Sequence, residues 1–142
     1  MKKLTLIVLM LTLSQWVQAD AKSEIKYRQG VMSVVGGHMK SMATSLKGGI
    51  HMDEFAVHAH GMANISKIVP NVFPEGSGDG KTEALAEIWE NKAEFKAAMD
   101  KFLEAADGMA VAADTGEMAS IGPAIKALGG SCKGCHDDFK QE

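Results

Sequence analysis

The chain has 142 residues, with 15 lysines and arginines against 18 aspartates and glutamates, a formal net charge of −3 at pH 7. That length suits one domain, and a mildly acidic chain with no basic stripe or aromatic ladder is not a nucleic-acid binder. Its two cysteines sit three residues apart, too close to staple anything, which excludes a disulfide framework.

In chain order, the first segment stands apart. Lys2 and Lys3 precede an apolar run from Leu4 to Leu13, and Val17-Gln18-Ala19 offers small residues to a signal peptidase. The pattern predicts a secretory signal peptide over residues 1–19, since the run falls short of the about 20 residues that a membrane span needs. Residues 20–142 then form the mature domain, with 13 basic and 18 acidic residues and a net charge of −5. No second apolar run approaches membrane length, so the exported domain is expected to be soluble, in the periplasm.

Four amphipathic helices follow from apolar spacing. The first runs from about Ser23 to Leu46, with Ile25, Arg28, Met32, Val35, Met39, Met42 and Leu46 on one seam. Arg28 is the lone charge in it. Gly36-Gly37 would allow another backbone to come close, at some cost to the helix. Gly48-Gly49 ends the segment.

The second helix is expected to start at Asp53 as N-cap and to carry Phe55, His58, Met62, Ile65 and Val69 until Pro70 stops it. A Pro-, Gly- and Ser-rich loop follows to Gly80. The third helix is predicted from Thr82, with Leu85, Ile88, Phe95, Met99, Phe102, Ala106 and Met109 facing one way and Trp89 beside them. Asp114-Thr115-Gly116 is a turn. The fourth segment is expected to start between Glu117 and Pro123 and run to about Phe139, its regular helix beginning close to Pro123, which suits a first turn, and to carry Ile121, Ile125, Leu128, Cys132, Cys135 and Phe139. The fold class is therefore all-α, an antiparallel four-helix bundle.

Cys132-Lys133-Gly134-Cys135-His136 is the attachment sequence for c-type haem. Residues three and four apart share a helix face. The two thiols can therefore meet two vinyl groups on one edge of a porphyrin, while His136 offers its imidazole to the iron as axial ligand. A redox dithiol is one alternative, although such pairs open a helix whose N-terminus lowers a thiol pKa. A structural zinc site is another; it needs four ligands, typically two such pairs, and no second cysteine pair exists, though His58 and His60 are available.

The chain resembles cytochrome c′, the four-helix-bundle class of c-type cytochromes. The resemblance rests on Tyr27-Arg28-Gln29, Phe73-Pro74-Glu75-Gly76-Ser77, Glu87-Ile88-Trp89, Glu94-Phe95-Lys96 and the run from Ser131 to Phe139, which contains the haem motif. It implies one covalent haem c per chain and a pentacoordinate, high-spin iron held by His136. It places Met32 at the opposite, non-ligating position. It also makes Arg28 and Gln29 the haem-contacting pair, with Arg28 near a propionate as the anionic partner of a buried cation, and Glu83 near the haem edge.

Two features depart from the family's usual pattern. Lys140 follows Phe139 where the family has arginine, keeping the charge without the planar fork. Met32 carries a thioether, a good iron ligand, so a six-coordinate, low-spin electron carrier with Met32 as sixth ligand is the alternative. The other methionines read as core filler, and His58-Ala59-His60 as mostly exposed.

By resemblance the protein is expected to bind nitric oxide and carbon monoxide in preference to oxygen, in an apolar pocket without a distal donor. It is also expected to exchange electrons with a redox partner, to pair as a homodimer through its first two helices, and not to be an enzyme.

Overall fold

Alanine-, methionine- and lysine-rich segments with apolar residues every three or four positions form helices because each can bury one stripe and solvate the rest. The computed structural model describes residues 2–141, with side chains from Asp20 to Gln141. Helix α1 spans Lys2–Gly48, α2 Phe55–Ser66, a short α3 Glu87–Glu90, α4 Lys92–Asp114 and α5 Met118–Phe139. The expected signal peptide, residues 1–19, lies outside the residues whose side chains are described.

Four long helices pack as a bundle. Its core joins Val31, Val35 and Met42 of α1 to Phe55, Ala59 and Met62 of α2, to Met99, Phe102, Ala106 and Met109 of α4, and to Ile121 and Leu128 of α5. Helix α4 packs closely on both α2 and α5, and α1 on α2; α1 and α5 form no comparable packed pair. Met32 of α1 and Cys132 of α5 are half-buried and both pack against this core. Met39 of α1 reaches α5, its Cε lying 3.5 Å from where a Cβ on Gly129 would stand.

Helix boundaries differ from expectation at three points. Helix α2 starts at Phe55 behind Glu54, which makes no side-chain cap, so Asp53 is not the N-cap. It ends at Ser66, and Pro70 sits instead in a 3-10 turn, Val69–Val72. The third helix does not begin at Thr82: Ala84 pairs with Lys140 in an antiparallel bridge, and Asn91 (φ −108°, ψ 57°) separates α3 from α4. The C-terminal tail thus holds residues 83–85 extended, with Leu85 N–H donating to the Phe139 carbonyl (3.1 Å) and Gln141 N–H to that of Glu83 (2.8 Å).

Helix α5 begins at Met118, before Pro123, which lies inside it. Proline has no N–H to give the Ala119 carbonyl, so one intrahelical bond is forgone there.

Candidate functional site

Cys132 and Cys135 lie in the last two turns of α5, both half-buried and both packed against the core cluster. No disulfide joins them. Burial raises the Cys132 pKa above its ordinary value. Burial, then Cys132 and Asp138, push Cys135 up to about 11. Burial thus disfavours the thiolate at both positions, the opposite direction from a redox dithiol. Among the described residues, no group of three or more His, Cys, Asp or Glu converges on a metal-sized point, so Cys132 and Cys135 have no companions there for a closed four-ligand zinc site.

His136 follows on the same helix and is exposed in the polypeptide. Its ring is still partly desolvated, and this, together with the Lys140 cation, holds its pKa below the usual imidazole value, against raising contributions from Asp137 and Glu83. The donor set fits a covalent haem: two half-buried thiols three residues apart on one helix, and an imidazole one residue on. A groove between α4 and α5, lined by Ala97, Ala105, Gly130 and Gly134, touches Cys135 but neither Cys132 nor His136.

Arg28 is 3% exposed, so it is not a surface arginine with a buried stem. Burial lowers its pKa, and Glu24 partly opposes the shift. Nη1 donates to the Val72 carbonyl (3.3 Å) and to Ser77 Oγ (2.8 Å). Nη2 donates to the Ser77 carbonyl (2.8 Å) and to Thr82 Oγ1 (3.0 Å). Within the polypeptide its hydrogen-bond partners are therefore neutral acceptors of the 72–82 loop. Its guanidinium also stacks on Phe73, 5.1 Å from the ring centroid, where cation–π attraction adds to the hold.

The same loop is tied down from α3. Trp89 Nε1 donates to the Phe73 and Pro74 carbonyls, at 3.1 and 3.2 Å. Phe73, Phe95 and Phe139 stack edge to face with centroids 5.0 and 5.2 Å apart, carrying the packing from the loop to the end of α5. Ser77, Thr82 and Trp89 were not singled out by sequence reasoning as loop anchors. The signal available was a lone arginine on a helix seam and hydroxyl residues in a glycine-rich loop.

The remaining expected site residues are close by. Gln29 is exposed and gives Nε2 to the Lys81 carbonyl at 3.2 Å. Met32 is half-buried, one turn beyond Arg28, against the core. Glu83 is paired with Lys140 Nζ at 3.0 Å, and the tail pairing brings it beside the helix that carries His136.

The reading of His58-Ala59-His60 as mostly exposed holds for His60 alone, which meets Asp114 at 2.7 Å. His58 is half-buried against His38, because its position on α2 faces α1 rather than solvent.

Residues 23–140 match the cytochrome c′ family model. Cytochrome c′ of Pararhodospirillum photometricum is 41% identical over 87% of this chain and 100% of its own. Cytochrome c′ of Shewanella frigidimarina superposes with a TM-score of 0.82 at 37% identity, covering 86% of this chain and 97% of that one. A ferrous variant of the Alcaligenes xylosoxidans protein with nitric oxide bound superposes at 0.79, with 27% identity over 86% and 96% of the two chains; another variant of it was solved with carbon monoxide bound.

Proposed function

The chain belongs to the cytochrome c′ family, and on that premise we propose that it is an exported haem protein that binds nitric oxide and carbon monoxide on the Met32 side of a pentacoordinate iron. The family carries one covalent haem c per chain. Here Cys132 and Cys135 would hold it, and His136 would ligate its iron. When bound, the haem supplies an iron that takes up a diatomic ligand or an electron.

The chain's own residues set the preference. Half-buried Met32 offers a thioether rather than a hydrogen-bond donor. Arg28, one turn away, has both terminal nitrogens committed to the 72–82 loop. That commitment is the observation that carries the reading: bound oxygen gains from a polar donor in the distal pocket, and the strongest donor near Met32 is already occupied. Arg28 would supply a positive charge to a haem propionate, with Gln29 beside it, while also bracing the loop. Lys140 stands where relatives place arginine, and its pairing with Glu83 favours gas binding on the Met32 face over the His136 face.

Periplasmic residence follows from the signal-like segment, residues 1–19; among the described residues no helix is long and apolar enough to cross a membrane. A homodimer through α1 and α2 is part of the same proposal. Tyr27 and Val34 on α1 are 58% and 45% exposed and Val57 on α2 is 67% exposed, and Gly30 and Gly37 alternate with the first two along one stripe.

One absorption spectrum with an intact mass tests the reading. The purified exported protein should weigh one haem more than its polypeptide and show a high-spin ferric spectrum. A low-spin ferric spectrum with the weak far-red band of methionine ligation would instead make it an electron carrier with Met32 as sixth ligand. A colourless protein would end both readings.

A further inference from the structure

Helices α1 and α2 meet through two histidines that take no part in haem attachment. The Nδ1 atoms of His38 and His58 stand 3.2 Å apart. Their rings meet edge to face, with centroids 5.5 Å apart and planes inclined by 63°. Both residues are half-buried, so the pair opens toward solvent.

The seat for this pair is built by a glycine. A Cβ on Gly61 would lie 2.3 Å from His38 Cε1 and 2.6 Å from its Nε2. Only a residue without a side chain lets the imidazole lie against α2 there. With its Cε1–Nε2 edge set on Gly61, the ring turns Nδ1 toward His58, one turn earlier on α2. Among the described residues neither Nδ1 has another hydrogen-bond partner.

Two imidazoles at this distance share a single proton in an N–H···N bond. The same separation suits a different occupant. Two nitrogen ligands at about 2.0–2.1 Å from a tetrahedral zinc ion stand about 3.3 Å apart, close to the 3.2 Å found here. Imidazole nitrogen is a preferred ligand for zinc and its neighbours among divalent ions.

We propose that His38 and His58 form a two-histidine chelate for a divalent cation of the zinc type, bridging α1 and α2, neither of which carries the haem motif. Both rings bind as neutral imidazoles through Nδ1. The ring that donated the shared proton takes the tautomer with its hydrogen on Nε2, so no net proton is released. No group of three or more metal-ligating side chains gathers among the described residues; the remaining coordination positions fall to water, and the site is open and exchangeable rather than closed. Its structural effect is to pin the two helices that carry the exposed Tyr27, Val34 and Val57.

The test uses the haem-loaded, untagged full chain as exported, stripped with EDTA and titrated calorimetrically with Zn2+. One ion per chain should bind, at least tenfold more tightly than in His38→Ala or His58→Gln, with the haem spectrum unchanged. Zn2+ should also raise the thermal midpoint of the parent protein and not of either variant. His60→Ala, which removes the exposed histidine paired with Asp114, should bind as the parent does. The haem absorption reports folding of each variant; should His38→Ala fail to accumulate, His58→Gln decides alone. Equal affinity in the parent and the folded variants, or loss of binding in His60→Ala instead, would overturn the proposal. Failure of the chelate leaves the haem reading intact, because that reading is judged by mass and spectrum.

Discussion

Arg28 of α1 holds Ser77 at two points, one guanidinium nitrogen on the hydroxyl and the other on the carbonyl, each at 2.8 Å. The hydroxyl passes the bond on, donating to the Pro74 carbonyl at 2.7 Å. One side chain thereby orders a loop more than forty positions away. Arg28→Ala should lower the stability of the haem-loaded protein by about 3 kcal/mol, since it strands buried acceptors that were bonded to a charged donor. Arg28→Lys should cost about half as much, because an ammonium cannot reproduce the fork. Urea unfolding measures both, and limited trypsin digestion should show faster cutting after Lys81 in the alanine variant.

Met32→Ala separates the two coordination states. With a pentacoordinate iron, removing the thioether opens the distal space, and carbon monoxide should bind about tenfold faster, a barrier lower by about 1.4 kcal/mol. The ferric spectrum should stay high-spin. A change from low-spin to high-spin on substitution would mean that Met32 had been a ligand, and the gas-binding proposal would fall.

Much of the fold was legible because it is local. The seams predicted for the helices contain Ile25, Val35, Met42, Phe55, Met62, Met99, Phe102, Met109, Ile121 and Leu128, all of them buried. The haem motif was legible for the same reason, since its spacing is a property of one helix. The misses are non-local. Apolar spacing runs on through Leu85 and Ile88, yet residues 83–85 are drawn out straight by the tail pairing at Phe139 and Gln141. Arg28 was visible as an anomaly, but its acceptors at Val72, Ser77 and Thr82 come together only when the loop closes over α1. His58 looked exposed because nothing in its own segment reveals His38.

Gly61 should be intolerant of a methyl group. Placing a Cβ 2.3 Å from His38 Cε1 forces the ring or the helix to move, and overpacking of this kind costs about 1–3 kcal/mol. Gly61→Ala should therefore destabilise the protein despite alanine's better helix propensity. Adding His38→Ala should restore most of the loss, a coupling that a double-mutant cycle in urea would measure. Additive losses would mean that the clash lies elsewhere.

Acid should weaken the α1–α2 contact. Burial and then the neighbouring His58 hold the His38 pKa below its ordinary imidazole value. The unfolded chain therefore takes up a proton at His38 at a higher pH than the folded chain does. This contribution to stability is complete above the unfolded value of about 6.5 and is lost as pH falls from there toward the lower, folded value. With EDTA present, the thermal midpoint should drop between pH 7 and pH 5, and the drop should be shallower in His58→Gln, where one of the two depressing causes is gone. A drop of equal size in the variant would remove His58 from the account.

Gly37 tests the dimer through opposing effects of one methyl group. A Cβ there meets nothing within 4 Å in the single chain, so Gly37→Ala should strengthen α1 by about 1 kcal/mol on helix propensity alone. In the proposed dimer the same position lies on the stripe that Tyr27 and Val34 mark, where the missing side chain lets a second backbone approach. The added methyl should then weaken association while the isolated chain becomes more stable. Gly108→Ala on α4, equally open, should give the stabilisation without the loss of association. Sedimentation equilibrium across micromolar concentrations, run beside thermal unfolding, reads the two effects separately. If Gly37→Ala leaves the dimer as tight as the parent, the partner does not sit on this stripe.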